Sequence, residues 1–346
     1  MSSRPLLDGD LAESHHLLVL SAEVEAEEVE ALAISHFDDA GWVGPAILRL
    51  TGGAHLTGPW RLDDVTRDRF DLPGWAEHAF LVRCPIQRAA PVPPELRGLG
   101  GLLDAFPDGE PVGLEGRVLQ HLLAQARRLA GALRVSGTGT VLVPDPATAI
   151  DLTVHTAVWL QPEACAAVLA TVLPELTPAL PDEEGRPPAD PLAADTAGLR
   201  ARATADMDDG ERAWLHAEAD ALDQAVLAQP QVLDGYAHVS PAPGGQLEVG
   251  VAGDEHTPPV LRGLPWARGG VISYEVRWRP DDPELALGPR PPLALRRHRD
   301  AARGLVEQVT RALHEAIGGE VVDDDAFLVA VETLAPDEPG PTPSGH

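Results

Sequence analysis

Two segments of the chain share one pattern of apolar and polar positions: a helical apolar repeat, a glycine-bearing turn and a short valine-rich run. They cover residues 117–143 and 303–329, and a constant offset aligns them without a gap. The abundance of Ala, Leu and Val would supply some identities by itself, but the shared pattern favours an internal duplication. The offset pairs Arg117 with Arg303, Leu119 with Leu305, Ala126 with Ala312, Ala130 with Ala316, Val135 with Val321, Leu142 with Leu328 and Val143 with Val329.

The first half of the chain, residues 15–150, contains segments of strand and helix character in the order βαββαβ. The helix after the first strand begins with several glutamates, which the positive end of a helix dipole favours. Gly52 and Gly53 open a polar stretch that runs to Trp75, to which we assign no helix or strand. The predicted strands are 16–21, 46–51, 78–84 and 140–143, and the predicted helices are 24–37 and 119–130.

The second half, residues 151–334, starts with the same elements but carries an insertion. Residues 174–207 are acidic and rich in proline, so we predict a mobile linker that buries little apolar area. A separate helix is predicted at 208–228, and the proline-rich tail 335–346 is predicted to be disordered. The other predicted strands are 152–160, 236–240, 246–251, 271–279 and 326–331, and the other predicted helices are 162–173 and 293–317.

This order of elements predicts an α+β fold of two tandem ferredoxin-like (βαββαβ) sandwiches, with the inserted helix in the second half. Each sandwich would have a four-stranded antiparallel sheet with both helices on one face. The motifs His78-Ala-Phe-Leu-Val, entering the third strand, and Gly139-Thr-Val-Leu-Val-Pro, after the second helix, resemble bacterial α+β domains of unknown function. The resemblance covers a small part of the chain and implies no activity.

Composition limits both the number of domains and the chemistry. A chain of 346 residues with 44% hydrophobic and 23% charged residues is expected to fold as two ordinary domains. The sequence contains neither Lys nor Asn, so all 26 basic residues are Arg, a pattern typical of a GC-rich genome. Schiff-base catalysis and a phosphate-loop lysine are thereby excluded, because each requires a lysine.

The net charge of −28 makes the surface strongly acidic. Nucleic acids and anionic membranes would be repelled, because both need a positive field on their partner, so we predict neither as a partner. Cys84 and Cys165 are too few for a disulfide framework, and 1–13 has no apolar run of signal-peptide length. We therefore predict a cytoplasmic protein.

Four arginines form a basic cluster at the start of the predicted helix 293–317. At about 100° per residue, Arg296, Arg299 and Arg303 share one helix face, opposite a face that contains Leu305 and Val309. Cations at a helix N-terminus oppose its dipole unless a carboxylate or an anion neutralises them. The three arginines are thus candidates for binding a small anion or another protein. The alternative is a solvated face bridged to nearby carboxylates.

No segment has the spacing of a metal or catalytic site. Asp323, Asp324 and Asp325 are consecutive and cannot all point at one ion, and His314-Glu315 lacks the second histidine of a zinc helix. We predict no metal, no cofactor and no catalytic residue. The preferred hypothesis is a non-catalytic cytoplasmic binding or protein-interaction module. The alternative is a hydrolase-like enzyme whose His, Asp and Glu side chains meet between the two halves.

Overall fold

A computed structural model describes residues 4–94, 97–98, 100–179, 235–254, 257–287 and 291–334. It shows a mixed α+β protein with two antiparallel sheets. Most of the predicted linker, the predicted helix 208–228 and the tail 335–346 lie outside the described residues. Within the described ranges, no helix combines the length and apolar content that a membrane crossing requires.

The first sheet has seven strands in the order β2-β3-β4-β5-β1-β6-β7, and every neighbouring pair is antiparallel. Its strands are β1 (His16–Leu20), β2 (Gly41–Gly44), β3 (Ile47–Thr51), β4 (Ala54–Arg61), β5 (His78–Arg83), β6 (Ala132–Arg134) and β7 (Val141–Leu142). The accompanying helices are α1 (Gly9–Glu13), α2 (Ala26–His36), α3 (Asp64–Arg69), α4 (Gly101–Ala105) and α5 (Gly113–Arg128).

All five residues of β1 are buried, because helices and loops cover both faces of this sheet. On one face, Leu18, Leu20 and Phe80 pack beneath α2 and α5. On the other face, Leu17 and Val19 pack towards α1 and the segment around α3. A strand buried on both faces is expected to be apolar at consecutive positions, as this one is.

The first half differs from the prediction in two places. The polar stretch after Gly53, to which no element was assigned, forms β4 and α3. Its inward positions are filled by Ala54, Leu56 and Gly58, so the alternation of β4 produces only a weak apolar signal. The predicted strand 140–143 is the two-residue edge strand β7, whereas β6 supplies the pairing with β1.

The second sheet has six strands in the order β13-β8-β12-β11-β10-β9, also antiparallel throughout. Its strands are β8 (Leu152–Thr156), β9 (Thr177–Pro178), β10 (Gly235–Ala242), β11 (Gly245–Asp254), β12 (Val271–Pro280) and β13 (Glu320–Asp323). The helices are α6 (Pro162–Leu169), α7 (Pro283–Leu287) and α8 (Leu293–Ile317), with short 3-10 turns at Pro146–Thr148, Pro259–Leu261, Pro265–Ala267 and Val331–Thr333.

The core of this sheet lies beneath α6 and α8, where Val154 and Tyr274 pack against Val309 and Leu313. The predicted strands 236–240 and 246–251 are confirmed as the hairpin β10–β11, and the predicted strand 271–279 is confirmed as β12. The predicted strand 326–331 is wrong: the last ladder strand is β13, and an isolated bridge joins Leu328 to Val322.

The two sheets have the same internal order. In each sheet, the strand that opens the half lies between two others. One is the strand that precedes the long second helix, and the other is the strand that follows that helix. The first sheet reads β6-β1-β5-β4-β3-β2 and the second reads β13-β8-β12-β11-β10-β9, so β7 is the one addition to the first sheet.

Candidate functional site between the two halves

A cavity of about 320 Å³ lies where the two halves meet. The first half contributes Arg127 and Arg128 from the last turn of α5, and the connecting segment contributes Ile150. The second half contributes Arg303 from α8 together with side chains that follow β13. The cavity is lined by Arg127, Arg128, Pro146, Ala149, Ile150, Leu152, Arg303, Glu307, Asp323, Asp325, Val329, Thr333 and Leu334.

The end of β13 and the turn that follows it carry two carboxylates of the cavity, Asp323 and Asp325. The carboxylate of Asp323 accepts hydrogen bonds from the backbone N–H of Asp325 (3.0 Å) and of Phe327 (2.9 Å), which closes the turn. Burial raises the pKa of Asp323, while the Phe327 N–H and Arg128 oppose that increase. Asp323, the last residue of β13, thus anchors the turn formed by Asp324 and Asp325, and the carboxylates of Asp323 and Asp325 point into the interface.

Ion pairs and a hydrogen bond join the halves around the cavity. Arg127 Nη2 contacts Asp325, and Arg128 Nη1 lies 3.3 Å from Asp323 Oδ2. His36 Nε2 donates a 2.6 Å hydrogen bond to the backbone carbonyl of Asp325. These contacts connect α2 and α5 of the first half to a single turn of the second half.

Three arginine N–H groups at the cavity lack partners. Nε of Arg127, and both Nε and Nη2 of Arg303, are shielded from solvent and form no hydrogen bond with any residue that the structure describes. A buried donor left unsatisfied costs about 1–3 kcal/mol, and more when the group is charged. Once these side chains turn their donors towards the cavity, a ligand oxygen would recover that energy.

The rest of the wall is apolar. Ile150, Leu152 and Leu334 line the cavity and belong to the buried core of the second half, and Val329 packs against that core. Among the described residues lining the cavity, none is histidine, serine or cysteine. The arrangement offers cationic donors beside an apolar surface, which suits ligand binding more than nucleophilic or acid–base chemistry.

The structure separates the three arginines predicted as an anion or partner site. Arg296 is exposed, Arg299 is buried at 4% exposure, and Arg303 is half-buried and lines the cavity. The prediction that they share a solvent-facing side is therefore wrong for Arg299, which lies on the core side of α8. The sequence analysis did not identify Arg127 and Arg128 as site residues. The one indication of them in the sequence is weak: two adjacent basic residues in the last turn of α5.

A second polar cluster lies inside the first half. The carboxylate of Glu115 is fully buried and lies 3.2 Å from His16 Nε2 and 2.8 Å from Arg88 Nη2. The backbone N–H of Ser136 donates to His16 Nδ1 at 3.0 Å, so the imidazole proton is on Nε2 and is donated to Glu115. Burial lowers the pKa of His16, which keeps the ring neutral.

The same cluster has the elements of a catalytic triad but not the free base. The hydroxyl of Ser136 lies 3.5 Å from His16 Nδ1, at the limit of a hydrogen bond. The only lone pair of Nδ1 in the plane of the ring already accepts the backbone N–H at 3.0 Å. To take the serine proton, the ring would first have to lose that bond. We therefore interpret the cluster as a structural connection between β1, α5 and the loop after β6.

An aromatic cluster fills the interface beside the cavity. The ring of His121 lies 4.7 Å from the ring of His36, 4.9 Å from that of Phe37 and 6.1 Å from that of Phe327. Neither nitrogen of His121 has a hydrogen-bond partner among the described residues. Burial, with a smaller contribution from His36, lowers the pKa of His121 to about 3.

No group of three or more His, Cys, Asp or Glu side chains able to hold a metal ion occurs within the described residues. Comparison of the chain with protein-family models, with curated proteins and with solved structures found no match.

Proposed function

We propose that the protein is a non-catalytic binding module that holds a small anionic ligand in the cavity between its two halves. The observation that carries the proposal is the set of three unpaired, solvent-shielded N–H groups on two arginines, Arg127 and Arg303, whose side chains line the cavity. Arginine forks are the usual protein donors for carboxylate and phosphate oxygens. An anion that meets them would replace lost hydration with charge-assisted hydrogen bonds.

The charges around the cavity favour an anion of low charge. The cavity wall contains three arginines and three carboxylates, so its formal charges balance. They are Arg127, Arg128 and Arg303, with Glu307, Asp323 and Asp325. A monoanion would add one negative charge to this balanced wall, whereas a dianion would add two. Because the whole chain carries −28, the field outside the cavity also disfavours highly charged anions.

The alternative hypothesis, a hydrolase-like enzyme with its site between the halves, has less support. In the cavity, Asp325 and Asp323 are held in ion pairs with Arg127 and Arg128, and no described lining residue is a histidine. A general base needs a free acceptor within reach of the substrate proton. These two carboxylates are engaged by arginine, and the third carboxylate of the lining, Glu307, also has an interaction partner.

Calorimetry at low ionic strength tests the proposal. Intact protein titrated with acetate, hexanoate, phosphate and sulfate should release heat with at least one of them. The variant Arg303→Gln should weaken that binding by about tenfold or more, since one charge-assisted hydrogen bond contributes about 1.5–3 kcal/mol. Arg296→Gln, on the exposed face of the same helix, is the matched control and should bind like the parent.

Two results would refute the proposed function. The first is the absence of heat with every anion. The second is binding that Arg303→Gln and Arg296→Gln weaken equally, which would indicate general surface attraction. Thermal unfolding of both variants should accompany the titrations, so that a lost fold is not mistaken for a lost site.

We propose further that the two halves are tandem ferredoxin-like units derived from an internal duplication. The support is the shared strand order, in which β6-β1-β5-β4 corresponds to β13-β8-β12-β11. A sheet of this order, built from βαββαβ with both long helices on one face, is the ferredoxin-like arrangement. The anion cavity then lies at the junction of two related units, a frequent position for ligand sites.

A further inference from the structure

We infer that the ligand is an amphipathic monocarboxylic acid, whose carboxylate meets Arg303 and Arg127 and whose hydrocarbon body lies against Ile150, Leu152, Val329 and Leu334. This inference rests on the proposed anion-binding function and specifies its ligand class. It is drawn from the lining of one cavity, which combines arginines that have unpaired donors with apolar side chains at the edge of the second core.

The apolar part of the wall argues against an inorganic anion. Phosphate or sulfate would satisfy the guanidinium donors but would make no use of Val329 or of the small apolar edges that Ile150 and Leu334 present to the cavity. Apolar surface gains free energy when a hydrocarbon replaces water, in proportion to the area covered. A ligand with both an anionic end and an apolar body uses the whole wall.

The volume of the cavity sets the length of the ligand. About 320 Å³ accommodates roughly ten groups of the size of a water molecule, each of which takes about 30 Å³. A carboxylate with a chain of about six to eight carbons fills that space. A nucleotide is too large for it, and acetate leaves most of it empty.

The charge balance selects one carboxylate over two. Asp325 and Asp323 already pair with Arg127 and Arg128, which leaves Arg303 as the lining arginine with two unpaired nitrogens. One carboxylate has two oxygens and can accept from both nitrogens of one guanidinium edge. A second carboxylate on the ligand would lie near aspartates and the apolar wall, where burial of an unpaired charge is costly.

A chain-length series tests the inference by calorimetry on the full chain. Acetate, butanoate, hexanoate, octanoate and decanoate should bind with affinity that rises by about fourfold per CH₂ until the cavity is full. The rise should stop near octanoate. Octanamide, which has the same chain and no charge, should bind at least tenfold more weakly than octanoate.

Two variants separate the parts of the ligand. Arg303→Gln should weaken all chain lengths by a similar factor, because it removes donors to the carboxylate. Val329→Thr places a hydroxyl on the apolar wall with little change in shape, so it should reduce the gain per CH₂ while leaving acetate unaffected. Arg296→Gln should leave the whole series unchanged.

The outcomes distinguish the inference from the function on which it rests. If phosphate binds as tightly as octanoate, and Arg303→Gln abolishes both, the anion site stands and the amphipathic ligand is refuted. A flat chain-length series with loss of binding in Arg303→Gln also refutes the amphipathic ligand and retains the anion site. Octanoate binding that Arg303→Gln does not weaken would indicate adsorption to another apolar surface and would overturn both proposals.

Discussion

The buried ring of His121 should make the junction between the halves sensitive to acid. Its two nitrogens have no partner among the described residues, and burial lowers its pKa to about 3. An unfolded chain has an ordinary histidine pKa of about 6.5. Because the folded-state pKa lies below the unfolded one, the stabilising effect of the neutral ring is present above about pH 6.5. It is lost as the pH falls towards the folded-state value.

The substitution His121→Phe measures this effect, because it keeps an aromatic ring in the cluster and removes the titration. Between pH 7.5 and pH 5.0 the unfolded wild-type chain gains about 2 kcal/mol from protonation of one histidine of pKa 6.5, while a folded-state ring of pKa near 3 gains almost nothing. The stability of the variant relative to wild type should therefore rise by about 2 kcal/mol between these two pH values. Any folded-state pKa below about 4 gives the same result.

Urea denaturation at pH 8.5, 7.5 and 5.0 provides the measurement. At pH 7.5 we expect a small difference in unfolding free energy, of either sign. Removing two unsatisfied nitrogens stabilises the folded variant, whereas fitting the slightly larger phenyl ring destabilises it. The difference at pH 8.5 should equal that at pH 7.5, which serves as the internal control. Histidines distant from His121 contribute equally to both proteins and cancel, whereas His36 is coupled to His121 and contributes a smaller difference. A stability difference that stays constant from pH 8.5 to 5.0 would show that His121 titrates normally in the folded protein.

Two further perturbations test the packing and the junction by the same denaturation method. Gly319→Ala should destabilise by at least about 2 kcal/mol, because an added Cβ would lie 2.1 Å from the His155 carbonyl oxygen and φ is +103°. Gly304→Ala, in α8 with open space around it, is the control and should stabilise by about 0.5–1 kcal/mol; equal effects would contradict the geometry. For the interface, the double-mutant cycle Arg127→Gln with Asp325→Asn should show coupling of about 1 kcal/mol, and additive effects would mean that this pair does not connect the halves.

The sequence predicted the second half more accurately than the first, for a physical reason. The strand predicted at 271–279 has large apolar side chains at alternate positions, and β12 occupies 271–280. The strand β4 shows the same alternation of burial, but its inward positions carry Ala54, Leu56 and Gly58. Small residues contribute little to a hydrophobic pattern even when they are fully buried. The missed strand therefore lacks the apolar periodicity from which strands are predicted.

The cavity was not predictable from local patterns, because its residues come from distant parts of the chain. Arg127 and Asp325 are 198 positions apart, and only the packing of one half on the other brings them together. Nothing in the spacing of the three aspartates indicates which arginines they meet. Pairing across a junction is a property of the assembled fold.

The arginine prediction shows how a small error in helical phase changes a functional hypothesis. Leu305 was assigned to the core face of α8, but the buried side contains Val306, Val309 and Leu313. At about 100° per residue, this moves the centre of the core face by roughly 70° towards the arginines. Arg299 then falls on the core side, while Arg303, at the edge of that side, faces the cavity. The same rotation that removes the predicted surface cluster thus places Arg303 where a buried guanidinium has unpaired donors.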